Sequence, residues 1–213
     1  QRQMCIRDRG SEVRAEAIRL AGALVDLVPD EPEPVGLLAL MLLNESRMPA
    51  RVRGEQTVLL RDQDRSLWDR SLIDEGQRLV RECIRRDRPG TYQLQAAVQA
   101  VHSAATSFES TDWRQVVTLY DHLYAMQPTA TVALNRAIAV GEADGPDAAL
   151  RALAPLGGRL DGYAPFHAAV GESRRRAGDL TGARRAFERA LELTASDSDR
   201  AHLEQWLDGV PPE

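Results

Sequence analysis

The sequence predicts an all-α protein: a right-handed superhelical array of helix pairs, preceded by a small helical layer with one short extended stretch. Three observations predict it. Ala, Leu, Arg and Glu abound while aromatic residues make up 5%, a mix that favours helices. The C-terminal half repeats itself at an offset of 34 residues, as in Ala149 against Ala183. Finally, Gln56 to Asp69, QTVLLRDQDRSLWD, is the one place where a long helical sequence stops reading as helix. A β-prone run, Thr57-Val58-Leu59-Leu60, there meets a charged turn, Asp62-Gln63-Asp64-Arg65. With 213 residues the chain forms one or two domains and can bury a sizeable core.

Residues 1–10 read as a non-native or disordered segment. They show no apolar periodicity, do not begin with Met and resemble translated sequencing-adaptor junctions, so native sequence is expected to begin near Ser11 with something upstream missing. Cys5 then carries no function. Residues 11–90 form a helical N-terminal subdomain. From Ser11, a plausible N-cap, to Val28, the apolar positions Val13, Ala17, Leu20, Leu24 and Leu27 recur in steps of helical size and predict an amphipathic helix with that face inward. The run Pro29-Asp30-Glu31-Pro32-Glu33-Pro34 ends it and starts the next, because Pro is refused inside helices and welcomed in their first turn. The second helix, to about Arg47, is apolar nearly all round and so belongs at the centre. Helix resumes at Ser66, with Ser66 and Asp69 forming a capping-box-like start. Leu67, Ile73, Leu79, Val80 and Ile84 supply its inward face up to Arg88-Pro89-Gly90.

Residues 91–213 predict three helix pairs and a capping helix. Ala183, Phe187 and Ala190 have the small, large, small spacing of the second helix of a tetratricopeptide-like repeat, with Gly171 on the first helix. Shifted back by 34, these become Ala149, Leu153, Leu156 and Ala137, and the turn Ala177-Gly178-Asp179 becomes Ala143-Asp144-Gly145. A weaker copy holds Ala104, Val116, Tyr120, Leu123 and Pro128. The pairs are 92–107 with 112–126, 129–142 with 146–156, and 162–177 with 180–194. A helix at 197–208 closes the end with Trp206.

The net charge is −5, and all 27 basic residues are arginine. Arg forms bidentate pairs that Lys cannot, although a GC-rich genome explains the bias more readily. A mildly acidic chain is a poor non-specific DNA binder, so no direct DNA contact is expected. Cys5 and Cys83 are too few for a disulfide framework or a zinc site, which predicts a cytoplasmic protein. The most apolar run, Val35 to Leu43, falls well short of the roughly 20 residues a bilayer requires, and no signal peptide opens the chain.

Candidate chemistry is sparse. Asp62, Asp64 and Ser66 start like a calcium loop, but Leu67 stands at the obligatory glycine position and Ile73 at the glutamate position. His102, His122, His167 and His202 fall on separate helices without metal-ligand spacing, and GEADG at 141–145 follows a helix rather than a strand. No catalytic residue, metal or cofactor is expected. Arg174 to Arg176 and Arg184-Arg185 interleave with Glu172, Asp179 and Glu188 as an ion-paired face. Stacked helix pairs create a concave binding surface, here lined by Gln95, His102, Asn135 and His167.

The runs PVGLLALMLLNESRMPAR (34–51), LLRDQDRSLWDRSLIDEG (59–76), GTYQLQAAVQAVHSAA (90–105), TDWRQVVTLYDHL (111–123), TVALNRAIAVGEADGP (131–146) and GRLDGYAPFHAA (158–169) resemble the C-terminal extension of one group of bacterial extracytoplasmic-function RNA polymerase sigma factors. There a tetratricopeptide-like domain follows the two sigma regions, which nothing in this sequence resembles. The resemblance implies a regulatory module acting in cis on promoter recognition. Its partners would be the sigma regions of the same protein or core RNA polymerase, with a DGPF/YCII-like protein as a further candidate. It marks Asp62, Gln63, Asp64, Arg65, Ser66, Trp68 and Asp69 as the family-characteristic stretch without assigning them chemistry. Trp68, read from the sequence as lying in the first turn of the following helix, is expected to anchor the turn to the core rather than meet a ligand. The competing expectations are a stand-alone scaffold for a peptide or protein, and a small-molecule sensor or enzyme using the groove.

Overall fold

Residues 2–53 and 56–210 are described by a computed structural model, with side chains for 10–52 and 57–210. The chain divides into two compact units: residues 1–51 with 59–112, and residues 52–58 with 113–213.

The first unit is built around α2 (Pro32–Glu45). Pro32 and Pro34 fit its first turn, where no intrahelical N–H bond is lost. It packs against α1 (Arg2–Leu27), α4 (Arg70–Arg86) and α5 (Thr91–Ala104), while the short α3 (Met48–Arg51) follows it. Val35, Ala39, Leu42 and Leu43 meet Leu79, Val80, Cys83 and Ala96 in one core. The all-round apolar character of α2 thus put it where the sequence predicted. Gly36 is required there: a Cβ on it would lie 2.7 Å from the Gln93 backbone nitrogen, so α2 and α5 cross almost backbone to backbone.

Three expectations for this unit change. Helix α1 runs unbroken from Arg2, so Ser11 lies within the helix and not at its N-cap. Its inward face is Ile18, Ala21 and Val25, about a third of a turn from the predicted stripe, and Val13, Leu20, Leu24 and Leu27 are exposed. The reason is the partner: α1 packs on α2, with Ala21 buried and Ile18 and Val25 against the core. Likewise α4 buries Ile73, Gly76, Leu79, Val80 and Cys83, leaving Ile84 exposed, as is Leu67 before the helix.

The boundary moves as well. The sequence divides the chain at residue 90, but α5 belongs to the first unit, packed on α2 and α4, so the predicted 92–107/112–126 pair is split between units. Helix α5 holds Leu94, Ala96 and Val98 buried, which reads the same in sequence whichever neighbour covers them.

The second unit contains α6 (Trp113–Met126), α7 (Ala130–Asp144), α8 (Pro146–Leu153), a 3-10 turn with α9 (Gly157–Leu160), α10 (Ala164–Arg176), α11 (Leu180–Leu193) and α12 (Asp197–Asp208). Successive helices pack, α6 on α7, α7 on α8, α8 on α10, α10 on α11 and α11 on α12. Thr129, Asp179 and Ser196 cap α7, α11 and α12 with side-chain oxygens. The predicted close crossing is present: a Cβ on Gly171 would sit 2.5 Å from the Phe187 ring, and Ala183, Phe187 and Ala190 are fully buried. In the preceding pair a Cβ on Gly141 would lie 2.8 Å from the Ala149 Cβ, one turn beyond the buried Ala137. The turns Gly145 (φ 92) and Gly178 (φ 85) lie 33 residues apart, one fewer than the helix faces, because the loops absorb the difference. Trp206 packs on Phe187 with ring centroids 5.5 Å apart, as expected of the closing helix. The arginine-rich face is ion-paired, with Arg175 to Glu172 and Arg176 to Glu142 both at 2.7 Å.

The extended stretch is shorter than predicted. Strands β1 (Val52–Arg53) and β2 (Gln56–Thr57) pair antiparallel, with Val52 opposite Thr57, and the Thr57 amide donates to Ser198 Oγ at 2.7 Å. Leu60 then starts a 3-10 turn, so the β-prone run ends at its first residue.

Candidate interaction site around the Asp62–Asp69 stretch

Two Asp-Arg-Ser tripeptides, 64–66 and 69–71, set the local backbone. Asp64 accepts from the Ser66 amide at 2.9 Å and from its hydroxyl at 2.6 Å, closing the 3-10 turn Arg65–Leu67. Asp69 repeats the contact with Ser71, at 2.9 and 2.6 Å, and adds the Leu72 amide at 3.2 Å. A carboxylate accepting from the free N–H groups of a first turn is a helix N-cap, so α4 starts at Arg70 with Asp69 as its cap. This corrects the capping-box reading: Ser66 is the partner of Asp64 in the preceding turn. These hydrogen bonds, that of the Ser71 hydroxyl foremost, hold the Asp69 carboxyl below its ordinary range. The Asp69 amide in turn donates to the Ser46 carbonyl at 2.8 Å, tying the end of α2 to the start of α4.

Arg65 and Trp68 point the other way, into the unit. Trp68 is buried with Ala50 and Ile73, which bears out its role as an anchor, although it precedes the helix instead of lying in its first turn. Arg65 Nη1 donates to the His102 carbonyl at 2.6 Å and to the Ala105 carbonyl at 2.8 Å. Both belong to the C-terminal end of α5, where orphan carbonyls and the helix dipole favour a cation. The other end of α5 receives the opposite charge: Glu33 accepts from the Tyr92 and Gln93 amides at 3.1 and 3.3 Å. Gly90 leaves room for it, since a Cβ there would collide with the Glu33 carboxylate. Neither capping residue is close to α5 in sequence, so local reading could not find them.

Arg65 also stacks on Trp68, its guanidinium carbon 4.5 Å from the ring centroid, and Arg47 approaches the same ring at 5.9 Å. Burial, then Arg51 and Arg65, bring the Arg47 pKa down to about 10. Burial followed by Arg47 and Arg65 pushes His102 down to about 4, so it is neutral. His102 is therefore part of this interior cluster and lines no open groove, contrary to expectation. Gln95 is half-buried in the same unit; Asn135, exposed, and His167, half-buried with Nε2 2.7 Å from the Asp161 carbonyl oxygen, belong to the other. Sequence reading missed Arg47 and Ser46. The signal was present in NESRMPAR, where an Arg follows the last turn of the most apolar helix.

What remains facing solvent is Asp62, Asp64, Ser66, Leu67 and Asp69, with Gln63 half-buried. The stretch is thus a rigid surface of carboxylates and one exposed leucine, fixed from behind by Arg65 and Trp68. Among the described residues no three His, Cys, Asp or Glu side chains come together to hold a metal, and no helix is long and apolar enough to cross a membrane.

Residues 6–84, which include this stretch, match the family described as "Family of unknown function (DUF6596)". An "Uncharacterized protein R00370" of Rhizobium meliloti (strain 1021) is 44% identical over 199 residues, covering 93% of this chain. The match spans 47% of that protein's length. Among solved structures, TTC0263, described as a thermophilic TPR protein of Thermus thermophilus, superposes with a TM-score of 0.63. It shares 16% identity, with 96% of each chain covered. The fold is an all-α, tetratricopeptide-like helical array.

Proposed function

We propose that this chain is the regulatory, protein-interaction part of an RNA polymerase sigma factor, acting in cis on sigma regions that lie elsewhere in the intact protein. Its partners are those regions or core RNA polymerase, with a DGPF/YCII-like protein as a further candidate. The reading places it in the cytoplasm and assigns it no catalysis, cofactor, DNA contact or membrane contact. The tetratricopeptide-like fold supports a scaffold role, since such arrays present surface for other proteins. The relative's length, of which this chain matches under half, supports a larger protein.

The observation that carries most weight is the outer face of α1. Val13 is 65% exposed, Leu20 54% and Leu27 77%, with Leu24 beside them, all within one narrow arc of the helix. Single exposed apolar residues are ordinary, whereas an aligned row of four marks an interaction site. The Asp62–Asp69 surface is the second docking element.

The test is promoter-dependent transcription by the full-length protein with core polymerase. Leu20→Ser with Leu24→Ser and Leu27→Ser, and separately Asp62→Ala with Leu67→Ala, should change its activity several-fold while leaving circular dichroism and thermal unfolding as in wild type. Arg65 is unsuitable for this purpose because it holds the fold. Wild-type transcription from both folded variants rejects the two surfaces, and a full-length reading frame without sigma regions rejects the sigma reading.

A further inference from the structure

The first unit carries buried positive charge that its own carboxylates leave unbalanced. Arg65 is 8% exposed and Trp68 3%. Arg65 Nη1 is occupied by two carbonyls, but among the described residues Nη2 has no hydrogen-bond partner and neither has the Trp68 indole Nε1, although both are buried. Arg47, against the same indole, donates to the neutral Asn44 Oδ1 at 3.1 Å. The charges that act on Arg47 are those of Arg51 and Arg65. Glu109 is the carboxylate that Arg65 feels, and it is exposed. Burying a guanidinium beside another, with a donor unused, is costly unless an anion completes the set.

We propose that Arg47, Arg65 and Trp68 form an anion site that takes a single carboxylate, held by Arg65 Nη2, the indole N–H and the Arg47 guanidinium. A carboxylate fits this donor set: it is planar, accepts at both oxygens and carries one charge. Arg47 is the half-buried wall of the cluster, and its flexible stem can move aside to admit the ligand. The carboxylate can come from an Asp or Glu side chain of a docking protein or from a small free acid. The site stands independently of the sigma-factor reading.

The experiment uses the 213-residue chain in chloride buffer, titrated with sodium acetate at constant ionic strength. Acetate should raise Tm saturably, by about 2 °C or more, and shift the Trp68 indole N–H resonance while those of Trp113 and Trp206 stay in place. Arg47→Met, which keeps the packing but removes the charge, should be at least as stable as wild type in chloride and lose the acetate response. A blocked peptide with a central Asp that competes with acetate identifies a protein side chain as the ligand; acetate binding without peptide competition identifies a small acid. Acetate acting no better than chloride, or equally on Arg47→Met, overturns the site.

Discussion

At the scale of single residues, Arg65 does what the acidic-basic look of its neighbourhood concealed. Its charge meets backbone carbonyls at a helix end instead of a carboxylate, and the Asp residues around it are occupied by serines and amides. Composition reveals charges, but which partner each charge meets depends on chain segments some forty residues away. Trp68 was legible as an anchor because a large apolar side chain in a polar turn has few other stable places to go. His102 was not, since its burial depends on where α5 packs. Its protonation gives a prediction. The pKa is about 6.5 in the unfolded chain and about 4 in the folded one, so between those values the unfolded chain binds more protons and stability rises with pH. Stability from this group is complete above about pH 6.5 and is lost as pH falls towards 4. Urea unfolding at pH 7.5 and 5.5 should differ by about 1 kcal/mol more in the wild type than in His102→Gln. Equal differences would mean that His102 is not held neutral by its surroundings.

At the scale of elements, helix existence was readable throughout and helix orientation only in part. Periodicity shows that a helix has an apolar face but not which of two apolar arcs its neighbour covers. On α1 the larger residues lost to Ile18, Ala21 and Val25, whereas α2, apolar all round, offered no such choice. The small residues were more informative, because they mark where backbones approach. Gly36, Gly141 and Gly171 grade this effect. Gly171→Ala meets a ring that can tilt and Gly141→Ala meets the Ala149 Cβ at 2.8 Å, while Gly36→Ala meets the backbone of Gln93, which cannot move alone. Overpacking should cost about 1–3 kcal/mol at Gly171 and Gly141 and the upper end of that range or beyond at Gly36. Ala149→Gly should restore part of the loss in Gly141→Ala and none of that in Gly36→Ala, as measured by denaturant midpoints. Equal losses at all three positions would refute the distinction between yielding and unyielding neighbours.

At the scale of the whole molecule, the repeat pattern located the second unit but placed its start too early. A match of small residues at a fixed offset detects any helix with that spacing, and α5 carries Ala96 and Ala104 without belonging to the second unit. The difference can be tested by cutting the chain. A fragment of residues 113–213 keeps both cores of the second unit, one around Leu134, Leu153 and Phe166 and the other around Ala183, Phe187 and Leu203. Of its own unit it lacks the 52–58 segment, which donates the Thr57 amide to Ser198 Oγ in a bond worth about 1 kcal/mol. A fragment of residues 91–213 retains α5 but removes α2 and α4, baring Leu94, Ala96 and Val98, and it removes both Glu33 and Arg65 from the helix ends. Residues 113–213 should therefore unfold cooperatively with little dye binding. Residues 91–213 should show the same urea midpoint, bind an apolar dye strongly and exchange the α5 amides at nearly unprotected rates. Protected α5 amides in the longer fragment would return that helix to the second unit and restore a boundary near residue 90.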